Sequence, residues 1–192
     1  MYKKYIIGGA VFAVLVSLVT VKAKLDTFAK KKPDNNLEHL PLVTSSQLIA
    51  KYGEPKYKVS NGYCHIALPM PHIVNWTIPY SIKPSMFPSS IIVNRDFIPY
   101  LEQAFIRVQE RDLDKEIVEY NGCFCIRKKK GGSTWSVHAF AMAVDINAST
   151  NAFGAKPTMS AQLVKCFTDA GFTWGGRWSY PDGMHFQIAQ LT

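Results

Sequence analysis

The 192-residue chain has no internal repeat, few cysteines and fewer acids than bases, and each shortage removes a class of protein. Without a repeat, a repeat architecture is excluded. The four cysteines are Cys64, Cys123, Cys125 and Cys166. Cys123-x-Cys125 has no second tight pair, so the spacing is a poor match to a structural zinc finger. In an oxidising compartment the four thiols allow three disulfide pairings, and a bridge between Cys123 and Cys125 would strain the short loop between them. Fourteen acids against 22 Lys and Arg give a net charge of +8. Residues 1–23 hold Lys3, Lys4 and Lys22 and no acid, so the rest keeps 19 bases against 14 acids, or +5. Such a body is drawn to anionic polymers. Basic stripes interleaved with aromatics and nucleic-acid-binding motifs are both missing, which argues against nucleic acid as partner. The run Lys128-Lys129-Lys130 reads as a solvated loop.

What is present describes one folded domain with an N-terminal appendage. A composition 47% apolar and 19% charged is that of a chain that folds. Lys3 and Lys4 precede an apolar run from Tyr5 to Val21, about 26 Å long as a helix at ~1.5 Å per residue, slightly less than a bilayer core of about 30 Å. Val21-Lys22-Ala23 has the spacing of a signal cleavage site, so a removed signal peptide and a retained membrane anchor both fit, with the anchor favoured by the length of the run. Lys22, Lys24, Lys30, Lys31 and Lys32 follow the run and weigh against export. Residues 24–43, rich in Lys and Asn with Pro33 and Pro41, read as a linker, leaving 44–192 as the domain.

Within that domain, Ser45 or Ser46 is placed to cap a short helix from Gln47 to Tyr52, stopped by Gly53 and Pro55. Phe97, Leu101, Ala104, Phe105 and Val108 share a face at helical spacing and predict a helix from about Asp96 to Asp112, with Asn94 as cap and Pro99 in the first turn. Short strand-like pieces follow: Glu116–Tyr120, Cys123–Arg127, Val137–Phe140, Ala143–Ile146 and Met184–Ile188. A helix from about Ser160 to Ala170, closed by Gly171, interrupts them. The expectation is a single α+β domain with a small antiparallel sheet and packed helices.

The chemistry concentrates in the stretch from Ser136 to Asp145 and in Asp182-Gly183-Met184-His185-Phe186. Imidazole nitrogen and carboxylate oxygen suit zinc, and a catalytic zinc needs three protein ligands with a fourth position left for water. His138, Asp145 and His185 supply that count. His138 and Asp145 are seven apart, an odd number, so a single straight strand would point them to opposite faces and a turn must lie between them. Ala139, Ala141 and Ala143 are small enough for close approach there. Alternation puts His185 and Gln187 on one face and Met184 and Phe186 on the other. Asp182 lies three residues before His185 across Gly183, a placement that suits a carboxylate near the metal but not bound to it, able to accept a proton from water and return it to a leaving amine.

These residues resemble the zinc D-Ala-D-Ala carboxypeptidase family, which includes VanX, VanY and phage L-alanyl-D-glutamate endolysins. Its signature, Ser-x-His-x-x-Gly-x-Ala-x-Asp followed by an acid three before a final His, is matched at Ser136, His138, Ala143, Asp145, Asp182 and His185. Trp135, Ile146-Asn147, Trp174-Gly175-Gly176 and Met184-His185-Phe186 are similar to the endolysin-like branch. Ala141 stands where the motif has glycine; if that position requires positive φ, alanine costs about 1 kcal/mol. The resemblance implies a Hedgehog/DD-peptidase-like fold and a zinc peptidase that hydrolyses peptidoglycan stem peptides. It implies His138, Asp145 and His185 as metal ligands and Asp182 as catalytic base, with Arg127 gripping the substrate or its oxyanion. Ser136 is expected to orient a ligand; Trp174 and Trp178 are candidates to wall the cleft, with core packing the favoured reading for Trp174. Such an enzyme works outside the cytoplasm, on the cell-wall side, secreted or held by the N-terminal segment. L-alanyl-D-glutamate endopeptidase is favoured over D-Ala-D-Ala carboxypeptidase. The alternative is a non-catalytic zinc-containing wall-binding module, against which Asp182 argues. A serine hydrolase is disfavoured because Ser136 lacks the elbow context of a nucleophile.

Overall fold

The structure, a computed structural model, describes residues 42–60, 63–66 and 70–191, with side chains described outside 57–69. The expected anchor at 1–23 and the linker up to residue 41 lie outside the described residues. Val43, expected as the last linker residue, is buried and belongs to the folded body. No helix among the described residues is long and apolar enough to cross a membrane.

Three helices and eight short strands make up the described α+β domain. Helix α1 (Ser45–Tyr52) is capped by Thr44, ahead of either expected serine, and starts two residues before the expected Gln47. Thr44 accepts from the Gln47 amide while the Gln47 side chain returns to the Thr44 backbone, a reciprocal pair that satisfies two otherwise open amides. Two antiparallel hairpins follow: β1 (Tyr57–Ser60) with β2 (Tyr63–Ile66), and β3 (Ile73–Thr77) with β4 (Ser90–Asn94). Asn94 caps a single 3-10 turn at Arg95–Phe97, and helix α2 (Ile98–Glu110) continues from it with Pro99 in its first turn. The expected helix is therefore two elements, beginning one residue before the expected start and ending two before the expected end.

The remaining strands form one antiparallel sheet in the order β5 (Tyr120–Gly122), β6 (Ala143–Ile146), β8 (His185–Ile188), β7 (Phe172–Trp174). Helix α3 (Ala161–Thr168), capped by Ser160, packs against α2 and β7. Along β8 the alternation divides two environments. Phe186 stacks on Phe167 of α3, 4.4 Å between ring centres, and belongs to a phenylalanine-rich core with Phe97 and Phe172. His185 and Gln187, one residue to either side, point the other way. The register pairs Asp145 with His185 and Ala143 with Gln187, so the polar side chains of β6 and β8 emerge on the same face.

Three expected strands take other forms. Of Glu116–Tyr120 only Tyr120 is in a strand, because Asp114–Glu116 closes as a 3-10 turn and the ladder begins later. Val137–Phe140 is a 3-10 turn. Cys123–Arg127 runs alongside that turn, with Cys125 N donating to His138 O and Ser136 N to Arg127 O. A turn cannot present the evenly spaced partners a ladder needs, so the segment is hydrogen-bonded without being a strand. Cys123, Cys125 and Cys166 are free thiols, and Cys64 lies on β2, whose side chains are outside the description.

Candidate metal centre

His138, the first member of the site, is positioned by its turn. Ser136 begins the 3-10 turn and its hydroxyl accepts from the His138 backbone amide at 3.3 Å. Ser136 thus fixes the main chain at His138, while the ring is oriented by another group. Ala141 ends the turn at φ +52, ψ +39, a left-handed conformation, and is fully buried. The glycine position of the motif does require positive φ here, and this chain meets it with alanine. Asn94 secures the same corner from the other side: its amide donates to Ala141 O at 3.0 Å and its side chain to Phe140 O at 3.2 Å.

The left-handed residue turns the chain into β6, and Asp145 arrives directly opposite His185. His138 Nε2, His185 Nδ1 and Asp145 Oδ1 then form a nearly equilateral triangle, with sides of 3.1 Å, 3.0 Å and 3.1 Å. Both rings are buried. Among the described residues, these three side chains are a group able to hold a metal ion.

The outer edge of each ring decides what the triangle is. His138 Nδ1 lies 2.9 Å from the Cys123 carbonyl oxygen, which only accepts, so Nδ1 carries the proton and donates. His185 Nε2 lies 3.1 Å from Gln187 Oε1 and donates to it. A neutral imidazole has one N–H, so both inner nitrogens present lone pairs toward each other and toward a carboxylate. Three acceptors at about 3 Å with no proton between them repel unless a cation joins them. A tetrahedral zinc with bonds of about 2.0–2.1 Å has ligand–ligand edges of about 3.3 Å, close to the observed sides. The donor set therefore fits a zinc-sized ion, with a carbonyl and an amide oxygen fixing the tautomers.

The electrostatics agree. Burial would raise the Asp145 carboxyl, but its contacts with His138 and His185 outweigh burial and hold it well below the usual carboxylate range. Burial would lower His185, but Asp145 beside it raises it above the ordinary histidine value. The pocket holds a carboxylate that demands positive charge, from protons or from a metal. Cys123 serves through its carbonyl only; burial pushes its thiol far up, and the sulfur approaches Ala141 O at 3.7 Å.

Asp182 sits beside the triangle and outside it. Its amide and that of Trp178 both donate to Gly175 O, at 2.9 and 3.1 Å. A β-carbon at Gly175 would come within 2.6 Å of the Asp182 carbonyl oxygen, so only glycine lets the two segments approach this closely. Asp182 Oδ1 is buried with no hydrogen-bond partner among the described residues. Burial raises its pKa above the ordinary carboxylate value; the neighbouring Asp145 raises it further, while His185, His138 and Arg127 oppose the shift. A carboxylate with one buried, unpartnered oxygen and a raised pKa beside a cation site is placed to exchange protons. Arg127 is exposed, and its charge reaches Asp182.

Trp174 supports the site from below. Its indole N–H donates to Gly183 O at 2.8 Å and its ring lies parallel to Phe186, so it holds the Asp182–Gly183 segment and does not face the triangle. Trp178 is the tryptophan beside the ligands, 5.4 Å from the His185 ring, with a buried and unpartnered Nε1. His72 lies elsewhere, against Tyr52. Two supporting residues carried little sequence signal. Gln187 was marked only by sharing a face with His185. Asn151, buried, accepts from Met184 N through its carbonyl and from Thr158 N and Met159 N through its side chain, tying the loop after β6 to the segment before β8.

No curated protein and no solved structure gives a significant match to the chain. A family model described as D-alanyl-D-alanine carboxypeptidase matches residues 130–188, about a third of the chain. Arg127 lies just before the match, whereas Ser136, His138, Asp145, Asp182 and His185 fall within it, so the segment that builds the site is similar to that peptidase family.

Proposed function

We propose that this protein is a zinc-dependent peptidase of peptidoglycan stem peptides. The observation that carries the reading is the triangle of His138, Asp145 and His185, whose outer hydrogen bonds leave three acceptors converging, with the unpartnered Asp182 Oδ1 alongside. The match to the D-alanyl-D-alanine carboxypeptidase model supports the substrate class. His138 Nε2, His185 Nδ1 and Asp145 Oδ1 hold the ion, which supplies Lewis acidity toward water and the scissile carbonyl. Asp182 accepts a proton from the attacking water as its oxygen bonds to the carbonyl carbon. It returns that proton to the amine nitrogen as the C–N bond breaks. Arg127 supplies positive charge for the developing oxyanion or for a substrate carboxylate. Its exposure keeps the guanidinium free to meet a ligand arriving from solvent.

Within this class the chain acts as an L-alanyl-D-glutamate endopeptidase; the Asp182-Gly183-Met184-His185-Phe186 pattern and the small single domain favour it. The description of the matched family favours a second reading, removal of a terminal D-Ala. The body works outside the cytoplasm, at the wall, with residues 1–23 as anchor or signal. The deciding experiment is mass spectrometry of peptides released from purified peptidoglycan, with metal analysis alongside. Cleavage between L-Ala and D-Glu supports the endopeptidase, and loss of one D-Ala supports the carboxypeptidase. No zinc in the purified protein, or zinc unchanged in His138→Ala, refutes the metal assignment. Zinc present with no released peptide leaves a wall-binding module.

A further inference from the structure

The basic run at 128–130 is not simply solvated. Lys128 Nζ lies 3.6 Å from the centre of the buried Trp135 ring, and Lys130 Nζ lies 5.5 Å from the Phe153 ring. Phe153 and Tyr180 are among the large apolar side chains left facing solvent, 43% and 60% exposed, and they lie side by side with ring centres 4.8 Å apart. Two adjoining exposed aromatics keep a standing cost in water unless a ligand covers them.

Their placement is built. Tyr180 lies over Gly154, where a β-carbon would come within 2.5 Å of the Tyr180 hydroxyl, so a side chain at 154 would displace the ring. Gly154 N donates to Pro181 O at 2.7 Å, and Asn151 anchors the same loop through Thr158 and Met159. Both partners of this surface lead to the base. Tyr180 is two residues before Asp182, and Lys130 is three residues after Arg127, whose charge reaches Asp182. Arg127-Lys128-Lys129-Lys130 carries four consecutive positive charges.

We propose that Phe153, Tyr180 and Lys130 form a substrate subsite that takes a carboxylate-bearing part of the stem peptide. The rings cover its aliphatic portion and the Lys130 ammonium pairs with its carboxylate. This rests on the peptidase reading above and adds the substrate feature that is recognised. Lys130 is the lysine placed at these rings: its ammonium lies over Phe153 at the longer distance of 5.5 Å, whereas Lys128 is held close over Trp135.

The test uses the zinc-loaded full chain and two versions of one soluble stem peptide, with free and with amidated carboxylates, followed by both calorimetry and cleavage. Wild type should bind the free form better, by about two- to fivefold as for an exposed ion pair, and the preference should shrink as salt rises. Lys130→Gln should bring the ratio of the two affinities toward one, Tyr180→Ala should weaken both peptides, and Lys128→Gln should keep the wild-type ratio. A wild-type ratio of one, or an undiminished ratio in Lys130→Gln, overturns the subsite. If wild type cleaves neither peptide, the peptidase reading falls, and the calorimetric ratio still decides the subsite.

Discussion

Gln187→Leu isolates the part of the site that no ligand count reveals. In the native chain Gln187 Oε1 accepts from His185 Nε2 at 3.1 Å and so leaves the Nδ1 lone pair for the metal. Leucine keeps the bulk and removes the acceptor. The imidazole proton is then free to move to Nδ1, where Asp145 Oδ1 at 3.0 Å accepts it. A hydrogen bond is exchanged for another, so the metal-free fold should lose no more than about 1 kcal/mol. The metal, by contrast, must now displace that proton. Loss of a partner that orients a ligating histidine weakens affinity by about 10- to 100-fold, or about 1.4–2.7 kcal/mol. At a zinc concentration of about 1,000 times the wild-type Kd, binding stabilises the native fold by about 4.1 kcal/mol; the variant should retain about 2.7 to 1.4. Chelator competition gives the affinity and thermal unfolding with and without zinc gives the stabilisation. The reasoning is refuted if Gln187→Leu binds zinc as tightly as wild type, or if its metal-free Tm falls as far as its zinc-loaded one.

Asp182→Asn should keep zinc and lower turnover by about 10²–10⁴, measured on purified peptidoglycan. The acid limb of the kcat profile should vanish in the variant, and in the metal-free protein, where burial raises the Asp182 pKa, its titration should lie above the ordinary carboxylate value. The sign for stability is opposite to that of a paired acid. A raised folded pKa gives stability below the unfolded value that is lost as pH rises through the folded one, so metal-free Asp182→Asn should melt higher than wild type at neutral pH. Gly175→Ala must move the Asp182 backbone, since the clash is with its carbonyl oxygen; activity should fall about 100-fold, as for a displacement near 1 Å, with zinc content retained. At Ala141, glycine would relieve about 1–2 kcal/mol of left-handed strain. It would also lose about 0.8 kcal/mol of buried methyl and cost about 0.4–1 kcal/mol in chain entropy. Ala141→Gly should therefore change denaturant stability by less than about 1 kcal/mol, which accounts for alanine being tolerated there.

The sequence alone named the candidate ligands, because zinc chemistry restricts side chains to a few types and His138, Asp145 and His185 stand in a two-part pattern; the structure brings these three together as a group able to hold a metal ion. The sequence also supplied the α+β class and the helices α2 and α3, whose apolar spacing and caps are local properties. The odd separation of His138 and Asp145 demanded a turn, and the left-handed Ala141 provides it. Only the tertiary structure decided the tautomers. The oxygen that fixes His138 is a main-chain carbonyl at Cys123, and a carbonyl has no residue type to recognise. Core packing was the favoured reading of Trp174, and its stack on Phe186 agrees, but the place of Trp178 beside His185 was not legible, since both tryptophans flank the same glycines in sequence. Which ring lies under Phe186 and which beside His185 depends on how the 3-10 turn at Gly175–Arg177 folds back under Asp182. The lysine run could not be told from a solvated loop, because its aromatic partners lie off the run itself: Trp135 faces Lys128 across a β-bridge, and Phe153 comes from a later turn. Local chemistry names the groups able to bind a metal. Long-range hydrogen bonds determine which of their atoms carries the proton, and so which atoms are left to bind.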